Sequence, residues 1–293
     1  METGTLLAGR FEVHERAGAG GMGQVYRATD LQTGRLVAVK VQRGDSPSLT
    51  ERFGAEARTL ARVASAAVVA YVSHGVTDRG DAWLAMDWLD GVDLAARLRR
   101  GRLSSADAVA VALRVAEGLA ASHALGLVHR DVKPANVILV GDDPARATLV
   151  DFGIARAERR TRAVTRTGAI LGTAGYMAPE QIEGRRDVGA RADVFSLGCV
   201  LYECLVGEAP FGADQVIAVI ARVLHGRVPR VSEARPEVPP ALDALVARWM
   251  SRDPGGRPAD GAACLAELRG LPPMPDVSAP PGAQPGAARA LNV

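Results

Sequence analysis

Lysine is nearly absent from this chain of 293 residues. Only Lys40 and Lys133 among the 35 basic side chains are not arginine, and asparagine also occurs twice, as Asn136 and Asn292. Cysteine is scarce too. Cys199, Cys204 and Cys264 are odd in number and show no C-x-x-C spacing, which excludes a disulfide framework or a structural zinc site and points to a reducing compartment. Aromatic residues make up 4% of the chain, so its core must be built from Ala, Leu and Val. No apolar run approaches the roughly 18 residues a membrane span requires. The best candidates, 111–128 and 194–206, are interrupted by Arg114, Glu117, His123 and Glu203, and Met1 to Gly9 lacks the pattern of a targeting segment. A soluble, cytoplasmic protein without a membrane span is expected. Excess charge of one sign is missing as well: 35 basic against 33 acidic residues leave +2, too balanced for nucleic-acid binding through bulk charge.

Against that background the chain divides into two regions. Phe11 to Val41 alternates with period two around a glycine cluster and a turn at Gln32-Thr33-Gly34, predicting three antiparallel strands. A helix is expected over 49–64, then strands over 68–72 and 83–88. Beyond Asp90-Gly91, amphipathic helical patterns dominate at 92–99, 105–125, 188–206, 213–224, 239–250 and 261–268, with Ser104 and Ser105 available to cap the second. This is an α+β arrangement of two lobes, joined by a hinge near 87–91. Residues 271–293 carry six of the 17 prolines and almost no charge, so they are expected to form a disordered linker.

Five segments carry chemistry. Gly18-Ala19-Gly20-Gly21-Met22-Gly23-Gln24-Val25 fits G-x-G-x-x-G-x-V. In dinucleotide-binding folds such glycines open a helix after a strand. Here a strand follows, so the loop is a hairpin flap whose bare amides can approach phosphates. Val37-Ala38-Val39-Lys40 places the first lysine on a strand of otherwise buried types, with Glu56 on the following helix as its candidate partner. A strand lysine ordinarily faces solvent. In a chain that defaults to arginine, its retention suggests a need for a compact ammonium. His129-Arg130-Asp131-Val132-Lys133-Pro134-Ala135-Asn136 contains the second lysine and the first asparagine, on a loop before the apolar run 137–140. Asp151-Phe152-Gly153 follows another short apolar run. Ala178-Pro179-Glu180 comes 25 residues later, after a loop rich in Thr and Arg.

In this order and spacing, the segments resemble the eukaryotic-like protein kinase family over residues 10 to about 268. Lys133 two positions after Asp131, and Thr173 in Gly172-Thr173-Ala174-Gly175-Tyr176, are similar to serine/threonine kinases. The stretch from Val164 to Thr173 is similar to their bacterial branch. The resemblance implies a bilobal protein-kinase fold over 10–270. Its small, mostly antiparallel β N-lobe with one main helix would span 10–88, its hinge 87–91 and its mostly helical C-lobe 92–270. It further implies ATP, with Mg²⁺ or Mn²⁺, and protein Ser/Thr hydroxyls as substrates.

The implied catalytic set is Asp131, Lys133, Lys40, Glu56 and Thr173, with Asn136 and Asp151 as metal ligands. Gly18, Ala19, Gly20, Gly21, Met22 and Gly23 would cover the phosphates, which Lys40 would hold. Val25, Ala38, Met86, Asp87, Leu89 and Ile138 would surround the adenine. Asp193 resembles the aspartate that anchors the catalytic loop, and Arg257 the ion-pair partner of Glu180. Arg130, with Arg156, Arg159, Arg160, Arg162 and Arg166 downstream, suggests activation by autophosphorylation at Thr165 and Thr167, possible within a kinase homodimer. One departure is the absence of a His-Pro pair from 61–69. Two other readings are a nucleotide-binding scaffold without transfer activity and a small-molecule kinase. The first usually lacks one of the three key side chains, all present here, and the second lacks the Thr-rich segment ending in Ala178-Pro179-Glu180.

Overall fold

The structure is a computed structural model that describes residues 1–20, 23–42, 47–152 and 171–273; Thr165, Thr167, Gly21 and Met22 lie outside them. Period-two alternation gives β2 (Phe11–Gly20), β3 (Gly23–Asp30) and β4 (Leu36–Gln42). A short β1 (Leu6–Leu7), too brief to show periodicity, pairs with β2. With β5 (Tyr71–Val76) and β6 (Ala82–Asp87) they form an antiparallel sheet ordered β1-β2-β3-β4-β6-β5. The strand expected at 68–72 begins instead at Tyr71. Val68 bridges to Leu149, and the Val69 N–H donates to the Leu149 carbonyl, so these apolar residues tie the first lobe to the second.

Strand register decides which residues look into the space between the lobes. Val25 lies opposite Lys40 and Lys40 opposite Leu84, while Ala38 lies opposite Met86, so all five share one sheet face. Val37 and Val39 point the other way, into a cluster with Phe11, Ala28, Trp83 and Ala85. The first face packs on α1 (Pro47–Leu60) through Phe53, Ala57 and Leu60, and the same cluster takes in Leu127 and Phe152. A continuous apolar patch therefore joins sheet, helix and the second lobe.

The second lobe begins with β7 (Gly91–Asp93), where helix was expected from Val92. Asp93 is not inside the helix but caps it: its carboxylate accepts from the Ala96 N–H at 2.8 Å and starts α2 (Leu94–Leu98). Strands β8 (Val137–Val140) and β9 (Ala147–Leu149) complete a small sheet with β7. Ser104 caps α3 (Ser105–His123), its hydroxyl accepting from the Asp107 N–H at 3.0 Å. Short helices α4 (Leu171–Ala174) and α5 (Pro179–Ile182) precede α6 (Ala190–Val206). The expected amphipathic pattern of α6 is corrected, because 13 of its 17 residues are buried. It is the central post of the lobe, apolar nearly all round, and ends where Gly207 adopts φ +94°. The helix α7 (Val216–His225) packs on α4 and α5, while α8 (Val231–Ala234), α9 (Pro240–Trp249) and α10 (Gly261–Arg269) lie around α6.

Candidate active site

Lys40 leaves β4 on the face turned toward the second lobe. Only 9% of its side chain is exposed, and its Nζ lies 2.9 Å from Asp151 Oδ1. The ion pair that Lys40 makes among the described residues is thus with Asp151, not with Glu56 as expected. An ammonium taken out of water needs a carboxylate within reach. Asp151, turned by a left-handed backbone of φ +60°, supplies it from two residues beyond the end of β9 at Leu149. Beside Lys40, the glycine hairpin runs close over β4. A Cβ on Gly23, at φ +122°, would stand 2.2 Å from the Val41 carbonyl oxygen, so the approach of these two strands requires glycine. Gly18, Ala19 and Gly20 pair across this hairpin with Val25, Gln24 and Gly23.

Along the inner sheet face, Met86 is buried and Leu89 partly so. The Asp87 carboxylate is held from outside by Arg35 at 2.9 Å. Ile138 on β8 stays partly exposed between the fully buried Val137 and Leu139.

The loop between α3 and β8 gathers the remaining polar residues. Lys133 Nζ lies 3.1 Å from Asp131 Oδ2 and donates to Thr173 Oγ1 at 3.2 Å. Asn136 Nδ2 donates to the Asp131 backbone carbonyl at 2.8 Å and to its Oδ2 at 3.0 Å. Lys133 and Asn136 are thereby fixed directly on the Asp131 carboxylate, and Thr173, 40 positions away, holds Lys133. Because the Asn136 amide spends its N–H groups on Asp131, its Oδ1 is the end left for a cation. With the Asp151 carboxylate this is a hard-oxygen donor set, suited to Mg²⁺ that retains water and phosphate ligands. The residues present therefore fit such an ion.

The loop is held from beneath. Asp193, fully buried on α6, accepts from the His129 and Arg130 N–H groups, each at 2.7 Å. His123 completes its shell at 2.9 Å. The other nitrogen of His123, Nδ1, accepts from the Gly261 N–H at 3.1 Å, so the ring proton sits on Nε2 and is donated to Asp193. The backbone of Arg130 is left-handed at φ +63°, a conformation that costs about 1–2 kcal/mol in a non-glycine residue. His129 is buried against Phe152, their rings 4.5 Å apart, and shares a hydrogen bond with the Val150 carbonyl at 3.0 Å. Burial holds its pKa below the usual histidine range.

Farther out, the Arg257 guanidinium makes a bidentate pair with Glu180 at 2.7 and 3.0 Å. Its remaining N–H groups go to the carbonyls of Ser251, Arg191 and Arg252, so all five donors are used. Two contributors were not singled out in the sequence. His123 appears there only as a polar interruption near the end of a helix. Gln181 follows Ala178-Pro179-Glu180, and its signal was local: Pro179 marks a helix start, with Gln181 at the position whose side chain turns back to the first N–H. Its Oε1 accepts from the Ala178 N–H at 3.0 Å, and its Nε2 donates to the Arg130 carbonyl at 3.2 Å.

Comparison with known proteins decides what this arrangement belongs to. The protein kinase domain family matches residues 11–267. The chain belongs to the protein kinase family. Among its relatives are the serine/threonine-protein kinase PknE of Mycobacterium bovis and PknL of Mycobacterium tuberculosis. PknE is 41% identical over 253 residues, covering 85% of this chain and 44% of the relative. PknL is 40% identical over 272 residues, covering 91% and 66%. The chain thus spans less than half the length of PknE. The fold also matches the crystal structure of the Mycobacterium tuberculosis PknI kinase domain at a TM-score of 0.72 with 26% identity, covering 92% of this chain and 98% of that one. The kinase domain is of the bacterial serine/threonine branch, with an antiparallel N-lobe and a helical C-lobe. Among the described residues no helix is long and apolar enough to cross a membrane.

Proposed function

We propose that this kinase domain transfers the γ-phosphoryl group of ATP to Ser and Thr hydroxyls of proteins. The observation that carries the reading is the cluster of Asp131, Lys133, Asn136 and Thr173, together with the ion pair of buried Lys40 and half-buried Asp151. Phosphoryl transfer asks for positioning and charge neutralisation more than for covalent chemistry.

Lys40 binds the α- and β-phosphates under the glycine hairpin of Gly18 to Gly23, with Glu56 as a second carboxylate from α1. Val25 and Ala38 cover the adenine ring, Ile138 supports it, Met86 closes the back, and the backbone from Asp87 to Leu89 reads its edge. Asp131 orients the incoming hydroxyl and receives its proton as the oxygen bonds to the γ-phosphorus and the bond to the β-phosphate oxygen breaks, releasing ADP. Lys133 neutralises the charge that develops on the transferred group, and Thr173 fixes Lys133. Asp151 and Asn136 would hold Mg²⁺ or Mn²⁺, which supplies further positive charge to the phosphates.

We also propose that Thr165 and Thr167 are autophosphorylated, within a transient homodimer, and that the new phosphates pair with the arginines of the same segment. Cytoplasmic location of the domain and the absence of a nucleic-acid partner complete this reading. The test is transfer of label from γ-labelled ATP with Mg²⁺ or Mn²⁺, to the protein and to a generic substrate. Wild type should label on Thr, Asp131→Asn should not, and Thr165→Ala with Thr167→Ala should lower activity. A wild type that binds ATP but transfers nothing would instead be a nucleotide-binding scaffold.

A further inference from the structure

Asn136 and Lys133 hold the end of the Asp131 carboxylate, and its base is held by the peptide unit that joins it to Arg130. This unit is planar, so holding its two polar atoms fixes its rotation and with it the Asp131 N–Cα bond from which the side chain departs. Its N–H, from Asp131, reaches His129 Nδ1 at a long 3.3 Å. Its carbonyl, from Arg130, accepts from Gln181 Nε2 at 3.2 Å. The unit follows a left-handed residue, and such a conformation persists only where its surroundings over-determine it. Asp193 restrains the N–H side of Arg130, and Gln181 restrains the carbonyl side.

The Gln181 amide has no freedom to turn. Its Oε1 accepts from the Ala178 N–H, so a flipped amide would oppose N–H with NH₂ and carbonyl with carbonyl. The residue is 6% exposed, which leaves little room for water to substitute. Its helix α5 is anchored by the neighbouring Glu180 through the buried pair with Arg257.

We propose that Gln181 is a positioning residue for phosphoryl transfer, holding the Arg130–Asp131 peptide so that the Asp131 carboxylate faces the substrate hydroxyl. The inference rests on the kinase reading and extends it to a residue that touches neither ATP nor the hydroxyl. Gln181→Glu keeps the acceptor for Ala178 and removes the donor to Arg130. Gln181→Met removes both at similar volume. With a peptide substrate and saturating ATP, each is expected to lower kcat by about tenfold or more, because small misplacements of reacting groups are costly. The KM for ATP should stay within about twofold, since the Lys40 side of the site is untouched. Melting temperatures recorded alongside separate positioning from folding. If kcat is unchanged in both variants, or falls only in step with the folded fraction at the assay temperature, the proposal is wrong. Wild type and Asp131→Asn run in parallel: an inactive wild type, or an Asp131→Asn variant as active as wild type, refutes the kinase reading itself. An active wild type with unimpaired Gln181 variants refutes only the role of Gln181.

Discussion

Replacing Arg257 with Lys keeps the charge and most of the length, yet it should be among the most damaging single changes in the C-lobe. The guanidinium is fully buried and its five N–H groups are all used, two on Glu180 and three on backbone carbonyls. It also lies over the Phe195 ring at 5.0 Å. An ammonium offers three donors around a point, so at least two of the five bonds are lost and the bidentate geometry with Glu180 cannot form. Leaving a buried carboxylate poorly paired costs about 3–5 kcal/mol. At about 2–4 °C per kcal/mol for a domain of this size, the melting temperature should fall by about 6–20 °C. Differential scanning calorimetry or dye-monitored melting reads this directly. The double variant Glu180→Leu with Arg257→Met should lose less than the sum of the single changes, because it leaves no unpaired charge. An Arg257→Lys protein within about 1 kcal/mol of wild type would refute the argument that donor geometry, not charge alone, holds this site.

Other consequences are equally direct. Lys40→Met should abolish phosphoryl transfer, by at least about 100-fold; residual transfer within tenfold of wild type would remove Lys40 from the phosphate site. Gly261→Ala should destabilise, since the added Cβ would stand 2.4 Å from the Ala120 nitrogen and 2.6 Å from the Leu119 carbonyl carbon. Overpacking of that kind costs about 1–3 kcal/mol, whereas Gly270→Ala, whose nearest neighbours lie at 3.5 Å, should be tolerated. The pH dependence follows from His129, kept neutral by burial. Its folded pKa lies below its unfolded value near 6.5, so the unfolded chain takes up a proton first and stability falls as pH drops below about 6.5. Wild type should therefore lose melting temperature more steeply between pH 7.5 and 5.5 than His129→Leu does. His74, also shifted down by burial, contributes equally to both proteins and cancels in that comparison.

Much of this molecule was visible as spacing. Alternation placed Lys40 on a strand face, and the loop that contains Asp131, Lys133 and Asn136 stood out because the chain uses lysine and asparagine so rarely. Local chemistry also marked the Ser104 cap. Periodicity misjudged α6, because a helix buried on all sides and one buried on a single stripe can both be rich in Leu and Val. It misplaced the strand at 68–72, because Val68 and Val69 are apolar for the sake of Leu149 rather than of the N-lobe sheet.

Which side chains exist to do the chemistry, and in what order, could be read along the chain. Motif residues lie within a few positions of one another, so their relation is written in local geometry. Their long-range partners came from packing. The pairing of Lys40 with Asp151 spans 111 positions and depends on how the two lobes meet. Gln181 reaches back 51 positions to the Arg130 carbonyl. Such bonds are set by the packing of whole helices around α6, a sum of many apolar contacts to which no short segment contributes a readable signal. The left-handed turn at Arg130 has the same origin: nothing in Arg favours it, and the bonds that impose it come from elsewhere in the fold.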